Sequence, residues 1–307
     1  MSARQEIKSI PKVSVVIPAY NCARFLEDAV KSVLAQKYEN FELIIIDDGS
    51  TDETVEVISR FSGPVRCIRQ QNQGRAQARN VGLRNATGVY IAFLDADDIW
   101  EPDHLARSVQ FLETHPSIGL VHGEVKAIDA DGQELVHKSL LRIYRQERKR
   151  RGDYFSLLFC YAIFSSAVVF RRVCLERTGF FDPAFQICED YEWYLRFSLY
   201  SQIGLMEKPS TAKYRLHSGN VVSQYDPKTI AKTYVAILGK HLQLIDEKYT
   251  GENYRKFRSR ILMKLAEFQL TDLGKSEARN LLLEALRLDP RVIFNFDLLK
   301  RLMLNFF

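Results

Sequence analysis

Short apolar runs alternate with amphipathic segments over the first hundred residues, and this order restricts the chain to few folds. Residues 13–17, 41–46, 65–69 and 91–94 have the length and composition of buried strands. The segments between them carry apolar residues at helical spacing. Because parallel strands need long crossover connections, this order predicts an α/β fold with a parallel sheet covered by helices on both faces.

Polar residues follow three of the predicted strands at the point where each strand ends. In open parallel sheets, ligands bind outside the carboxyl ends of the strands. We therefore expect the three clusters to meet in one crevice, although they are distant in the sequence. The clusters are Pro18-Ala19-Tyr20-Asn21, Asp47-Asp48-Gly49-Ser50 and Asp95-Ala96-Asp97-Asp98.

The third cluster places three carboxylates within four residues. Adjacent anions repel one another, and a shared cation would relieve the repulsion. Oxygen ligands at this density suit Mg²⁺ or Mn²⁺, which complete their coordination with waters and substrate phosphates. A solvated acidic turn before the next helix explains the stretch equally well. Arg75 and Arg79, on one face of a predicted helix over residues 74–86, favour a bound diphosphate.

Several classes of protein are excluded by what the sequence lacks. No Gly-x-Gly-x-x-Gly follows the first strand and no phosphate-binding loop is present, which argues against a dinucleotide or P-loop site. The five scattered cysteines suggest neither disulfides nor zinc, and a net charge of +5 is too small to indicate nucleic acid. The polar first twelve residues and the lack of a run of about 20 apolar residues predict a cytoplasmic protein.

The second half of the chain has a different pattern. We predict a helix over residues 102–115, a hairpin of residues 118–128 and 134–137 through Asp131-Gly132, and a helix beginning at Glu189-Asp190. Short strands precede His217, and from residue 227 onward the pattern is helical. We therefore divide the chain into residues 1–225 and a helical region, residues 226–307.

Five motifs together resemble the family 2 glycosyltransferases. They are residues 13–21, 47–52, 78–82 and 95–98, and Glu189-Asp190 ahead of Trp193 and Arg196. The resemblance implies a GT-A fold, in which a Rossmann-like nucleotide-binding sheet is fused to a smaller acceptor-side sheet, here with a helical extension. It also implies a hexosyltransferase type of enzyme that moves a sugar, with inversion, from a nucleotide-diphosphate sugar to a hydroxyl acceptor. A UDP-sugar is the expected donor, and a glycan or lipid-linked sugar in cell-surface polysaccharide synthesis is the expected acceptor.

The resemblance also assigns residues to the donor site. Asp48 is expected to accept from the base and Asp95 to approach the ribose or sugar, whereas Asp47 is a capping or structural acid. Arg79 is equally suited to bind phosphate or to form a structural ion pair. Trp100 is the expected sugar contact, and Trp193 is expected in the core. The complete nucleotide-sugar set is Pro18, Ala19, Tyr20, Asn21, Asp48, Gly74, Arg79, Asp95, Ala96 and Trp100.

Metal and catalytic roles are carried over in the same way. Asp97 and His217 are the expected ligands of Mg²⁺ or Mn²⁺, and Asp98 is expected to order the turn. Asp190 is the candidate base, because inverting displacement needs one group to remove the acceptor proton. Glu189 is assigned to the catalytic set either as an acceptor contact or as a helix cap.

Two segments leave a membrane role open. The basic residues 142–151 suit anionic headgroups or a polyprenyl phosphate, but also a solvated helix face or a loop over the site. The apolar residues 292–307 suit a membrane interface, an oligomer contact or packing on the helical region. We therefore keep peripheral contact with the inner face of the plasma membrane as an expectation. The rival functions are a non-catalytic nucleotide-sugar-binding relative and a membrane-surface scaffold.

Overall fold

A computed structural model describes residues 10–136, 163–207, 209–220, 224–272 and 275–291. The first half alternates strands and helices as predicted. Its elements are β1 (Val13–Ala19), α1 (Ala23–Leu34), β2 (Phe41–Asp47), α2 (Thr54–Ser59), β3 (Val65–Arg69), α3 (Arg75–Asn85), β4 (Tyr90–Phe93), β5 (Ile99–Trp100) and α4 (His104–Thr114). The basic residues 142–151 and the apolar residues 292–307 lie outside the described residues.

The second half adds short strands and then long helices. Its elements are β6 (Ile118–Gly123), β7 (Val125–Ile128), β8 (Glu134–Leu135), β9 (Val168–Arg171), α5 (Leu175–Thr178), α6 (Glu189–Ser198), β10 (Gln202–Met206), β11 (Ala212–Arg215), α7 (Pro227–Lys248), α8 (Gly251–Asp272) and α9 (Lys275–Leu288). Among the described residues, no helix combines the length and the apolar character needed to cross a bilayer.

The main sheet has the order β10-β6-β9-β4-β1-β2-β3 among the described strands. The predicted parallel arrangement is correct for β1 to β4, whereas β9 runs antiparallel to both β4 and β6. The chain moves from β1 outward to β2 and β3, and then returns to place β4 on the other side of β1. This reversal opens a crevice beyond the carboxyl ends of β1 and β4, which is where a doubly wound sheet binds its ligand.

A smaller sheet, of order β5-β11-β7-β8, lies beyond the end of β4. The predicted strand over residues 118–128 is instead two strands that leave at Glu124 for different sheets, β6 to the main one and β7 to the small one. The predicted hairpin is confirmed for β7 and β8, which pair antiparallel across the Asp131-Gly132 turn. Because β5 pairs with β11, the acidic turn after β4 lies beside the end of β11 and hence near His217.

The central strands β1, β2 and β4 are buried on both faces, which explains why they are apolar without alternation. On β1, Val15 packs on the side of α1 and α4, and Val16 packs on the side of α3 and α6. The approach of α3 is close, since a Cβ at Gly82 would lie 2.3 Å from Cγ1 of Val16. Trp193 of α6 is fully buried in the second core, as predicted.

The residues just before α1 and α2 build a loop near the crevice, and the predicted start of α4 is two residues too early. Asn21 does not cap α1; it adopts a φ of +47°, and its side-chain oxygen accepts from the backbone N–H of Thr51 at 2.8 Å. Ser50 does not open a capping box for α2, because its hydroxyl accepts from the backbone N–H of Asn21 at 3.0 Å. Helix α4 begins at His104 and not at Pro102.

The helical region shares a core with the main sheet. Ile237 and Ile245 of α7 and Ile261 of α8 belong to the same buried cluster as Trp193. A buried ion cluster adds to this contact, since the Glu192 carboxylate of α6 pairs with Lys240 of α7 and with Arg196, each at 2.8 Å. Helix α7 begins just after residue 225, and the division into two domains there stays a prediction.

Candidate functional site

A cleft of about 500 Å³ lies at the carboxyl ends of β1 and β4. As expected, the three polar clusters meet there, and the loop after β11 closes the opposite side. Nine of the residues singled out from the sequence line it: Pro18, Ala19, Tyr20, Asn21, Asp48, Asp95, Ala96, Asp97 and His217. Arg75, expected beside a bound diphosphate, lines it too. The cleft is also lined by residues that were not expected there: Cys22, Arg24, Phe25, Asp52, Tyr214 and Asn220.

Asp48 organises one wall of the cleft through its own hydrogen bonds. One carboxylate oxygen accepts from the Gln70 side chain at 2.6 Å and from the backbone N–H of Gln73 at 3.0 Å. The other accepts from the backbone N–H of Gly74 at 2.9 Å. Gly74 has a φ of +86° and contributes through this bond without lining the cleft. The carboxylate therefore fixes the loop before α3, which carries Arg75 into the cleft.

Asp97 and His217 come together on the floor of the cleft. His217 Nε2 lies 3.0 Å from an Asp97 carboxylate oxygen, and both side chains are partly exposed. Two neighbouring ligands of an octahedral ion, each about 2.1 Å from the metal, are about 3.0 Å apart, so the spacing fits a shared cation. Within the ranges that the structure describes, no three His, Cys, Asp or Glu side chains form a metal site alone. Mg²⁺ and Mn²⁺ commonly complete their coordination with waters and substrate phosphates, so a pair of protein ligands is compatible with either ion.

Asp98 points away from the cleft and orders the acidic turn. It is buried, and it accepts from the Ser166 hydroxyl and from the backbone N–H of Arg215, the latter at 2.8 Å. Burial raises its pKa well above the usual range, and the neighbouring carboxylates of Asp97 and Asp95 act in the same direction. Arg215 in turn donates to the Asp97 backbone carbonyl at 2.8 Å, which joins the turn to β11.

Arg79 is a buried ion-pair partner, not a phosphate contact. Its guanidinium is only 1% exposed and donates at 2.6 Å both to Asp95 and to Glu189. Burial opposes the charge, but Asp95 and Glu189 raise the pKa of Arg79 and keep it ionised. Arg75, one helical turn earlier, is 36% exposed and lines the cleft. Of the two arginines expected beside a diphosphate, Arg75 therefore reaches the cleft and Arg79 does not.

A second cavity of about 280 Å³ adjoins the cleft. Arg75, Asp95 and Tyr214 line both spaces, so they form a common wall. Asp190 lines only the second space, where it lies at the first turn of α6 and accepts from the backbone N–H of Tyr191 at 2.7 Å. The rest of the lining is mainly aromatic and aliphatic: Ile163, Phe164, Ile187, Tyr191, Tyr225, Ile230 and Tyr234, together with Asp98, Ser165 and Cys188.

Two assigned residues lie elsewhere than expected. Glu189 is buried between Arg79 and Arg75 and lines neither space, so it supports the site as an ion-pair partner. Trp100 is only 3% exposed; its ring stacks on His104 at 4.3 Å, and its indole N–H donates to the Ser166 carbonyl. The pairing of β5 with β11 turns this ring into the core, so it does not face the cleft.

Comparisons with known proteins agree with this architecture. Residues 14–177 match the family model for glycosyl transferase family 2. An uncharacterised glycosyltransferase of Nostoc is 34% identical over 220 residues, which cover 68% of this chain and 66% of that protein. The curated relatives it matches are mostly longer, and this chain spans between 18% and 70% of their length.

Solved structures share the fold. The structure of S. aureus TarS 1-349 in complex with UDP-GlcNAc superposes with a TM-score of 0.66 at 18% identity, covering 90% of this chain and 79% of that one. A mannosyltransferase from Pyrobaculum calidifontis, in complex with GDP-Man and Mn²⁺, superposes with a TM-score of 0.59 at 20% identity, covering 92% of this chain and 74% of that one.

Proposed function

The chain belongs to glycosyl transferase family 2, and from this premise we propose that it is an inverting, divalent-metal-dependent transferase. It moves a sugar from a nucleoside diphosphate sugar to a hydroxyl group of a glycan or lipid-linked sugar. The observation that carries the proposal is the pair of adjoining spaces. Asp97 and His217 lie in one, and Asp190 lies in the other across the common wall.

The larger cleft suits the donor. Tyr20 is 48% exposed at its mouth, which leaves the ring available to stack on a nucleobase. Arg75 supplies positive charge for the diphosphate. The complexes of TarS with UDP-GlcNAc and of the mannosyltransferase with GDP-Man support a donor of this class. We take a UDP-sugar as the first donor to test.

The Asp97–His217 pair suits Mg²⁺ or Mn²⁺, in agreement with the Mn²⁺ of the mannosyltransferase complex. A divalent cation held there would neutralise charge on the departing diphosphate. The protein contributes one carboxylate oxygen and one imidazole nitrogen, and Arg215 fixes the turn that presents the carboxylate.

Asp190 is the proposed general base. Its carboxylate removes the proton from the acceptor hydroxyl while that oxygen forms a bond to the anomeric carbon on the face opposite the diphosphate. The bond from the anomeric carbon to the diphosphate oxygen breaks in the same step, and the nucleoside diphosphate leaves with the electron pair. Configuration therefore inverts, and the proton remains on Asp190 until water removes it.

Two measurements test these assignments separately. A panel of nucleoside diphosphates and their sugars should raise the unfolding temperature in the presence of Mn²⁺ but not of chelator, since a ligand stabilises the state that binds it. Asp97→Asn should remove the metal-dependent shift, whereas Asp190→Asn should keep the shift and lose transfer. A wild-type protein that neither binds nor consumes any donor would contradict the proposal. A cytoplasmic location stays a prediction.

A further inference from the structure

The walls of the smaller cavity come from distant parts of the chain. The side with Asp190 belongs to α6, and the common wall belongs to the donor cleft. The remaining side includes Ile230 and Tyr234 of α7, together with Tyr225 just before that helix. The helical region therefore contributes side chains to a space that faces the candidate base.

Resting on the function proposed above, we propose that the start of α7 forms the specificity wall of the acceptor site. There the ring of Tyr234 stacks on the terminal sugar of the acceptor. A pyranose presents C–H groups on its faces and hydroxyl groups along its edge. A site for it needs an aromatic ring for the face and a few polar groups for the edge, as small-molecule sites generally provide. The cavity offers the Tyr234 ring and the Asp190 carboxylate.

Tyr234 is held rigidly enough to act as a binding surface. One side of its ring is stacked on Phe268 of α8, with centroids 4.9 Å apart and planes within 7°. The rings of Tyr191 and Tyr234 pack in a T-shaped arrangement with centroids 5.0 Å apart. The Tyr234 hydroxyl forms a hydrogen bond with Cys188. A binding group whose position is fixed by its neighbours loses little conformational entropy when a ligand arrives.

The size and position of the cavity favour a single sugar over a lipid chain. A volume of about 280 Å³ is just below the range for small-molecule sites, about 300–1,000 Å³, and is too small for a polyprenyl tail. Because Arg75, Asp95 and Tyr214 line both spaces, a hydroxyl bound here lies next to the donor. The rest of the acceptor, of whatever chemistry, would extend outside.

The test compares acceptor and donor kinetics in matched variants. The probes are methyl glycosides of hexoses and N-acetylhexosamines, offered with the donor found in the nucleotide screen, and the signal is nucleoside diphosphate release. Tyr234→Ala should raise the KM for the best glycoside about tenfold, which corresponds to about 1.4 kcal/mol, while the donor KM changes less than twofold. Tyr234→Phe should restore the acceptor KM, because it keeps the ring.

Tyr249→Ala is the matched control. Tyr249 ends α7 as its C-cap residue, stacks on Phe257 of α8 at 4.8 Å, and lines neither cavity. Its loss should lower stability without changing the acceptor KM. Ile230→Trp adds a second, independent variant that fills the cavity; it should block transfer to glycosides while the donor still binds.

The outcomes separate this inference from the function on which it rests. A wild-type protein that releases no nucleotide from any donor overturns the transferase function itself. Nucleotide release that no methyl glycoside stimulates overturns the sugar site alone, and stimulation only by octyl phosphate glycosides replaces it with a lipid site. An unchanged acceptor KM in both Tyr234→Ala and Ile230→Trp overturns the role of α7.

Discussion

Replacing Glu189 by Gln should destabilise the protein severely, although the change removes only one charge. The buried Arg79 and Glu189 form a cluster with the partly exposed Asp95 and Arg75, and the four formal charges cancel. Gln keeps the shape and the acceptor for Arg79 but leaves one uncompensated positive charge beside a guanidinium that is 1% exposed. Two unit charges about 4 Å apart interact by about 4 kcal/mol at an effective dielectric constant near 20. Breaking a buried pair on one side generally costs about 3–5 kcal/mol.

Urea unfolding monitored by tryptophan fluorescence measures this cost, since Trp193 lies in the core beside α6. Glu27→Gln is the control, because Glu27 forms an exposed i,i+4 pair with Lys31 at 2.6 Å, and solvent screens such a pair. We expect Glu189→Gln to lower the free energy of unfolding by about 3 kcal/mol and the control to leave it almost unchanged. An equal decrease in the free energy of unfolding of the two variants would refute the idea that the charges of the cluster stabilise the fold by compensating one another.

Three further predictions address pH, packing and donor binding. Burial lowers the pKa of His104 from 6.5 to about 3, so below pH 6.5 the unfolded chain binds a proton that the folded chain does not. The free energy of unfolding should therefore fall between pH 6.5 and 3 by up to about 1.4 kcal/mol per pH unit, and it should fall less steeply in His104→Leu. Identical pH profiles of the two proteins in urea unfolding would exclude His104 as the source of the pH dependence. Gly82→Ala should cost about 1–3 kcal/mol through the clash with Val16, whereas Gly239→Ala, in an open site on α7, should stabilise slightly; thermal unfolding that ranks them the other way would contradict the packing. Tyr20→Ala should weaken donor binding about tenfold in calorimetric titration with little change in unfolding temperature, and unaltered affinity would remove Tyr20 from the base site.

The fold was largely predictable because its signals are local. The apolar strands, their order and the polar residues at their ends all follow from short stretches of sequence, and they predicted that the three clusters meet. The division of residues 118–128 between two sheets was not predictable in this way. It depends on pairing with strands far along the chain, since β6 pairs with β10 and β7 pairs with β11.

The errors within the site have a similar origin. Arg75 and Arg79 look equivalent in the sequence, and only the packing of α3 decides that Arg79 is enclosed while Arg75 reaches the cleft. Trp100 follows the acids directly, yet the pairing of β5 with β11 turns its ring into the core. Side-chain direction at a turn depends on tertiary neighbours, so motif spacing alone could not assign it.

The ion pair between the buried Glu192 and Lys240 has a consequence for protein engineering. A chimera that exchanged the helical region of this chain for that of a relative, with its junction at residue 225, would separate the two charges. The Glu192 carboxylate would then stay buried with Arg196 as its cationic partner but without Lys240, unless the foreign helix supplied a cation at the same place. A junction in the turn before α6, near residue 180, would transfer Glu192, Asp190 and Lys240 together. The recipient must then keep arginines at positions 75 and 79, because Glu189 pairs with both. Hybrids that keep α6 together with the helical region should fold more often than hybrids joined at residue 225.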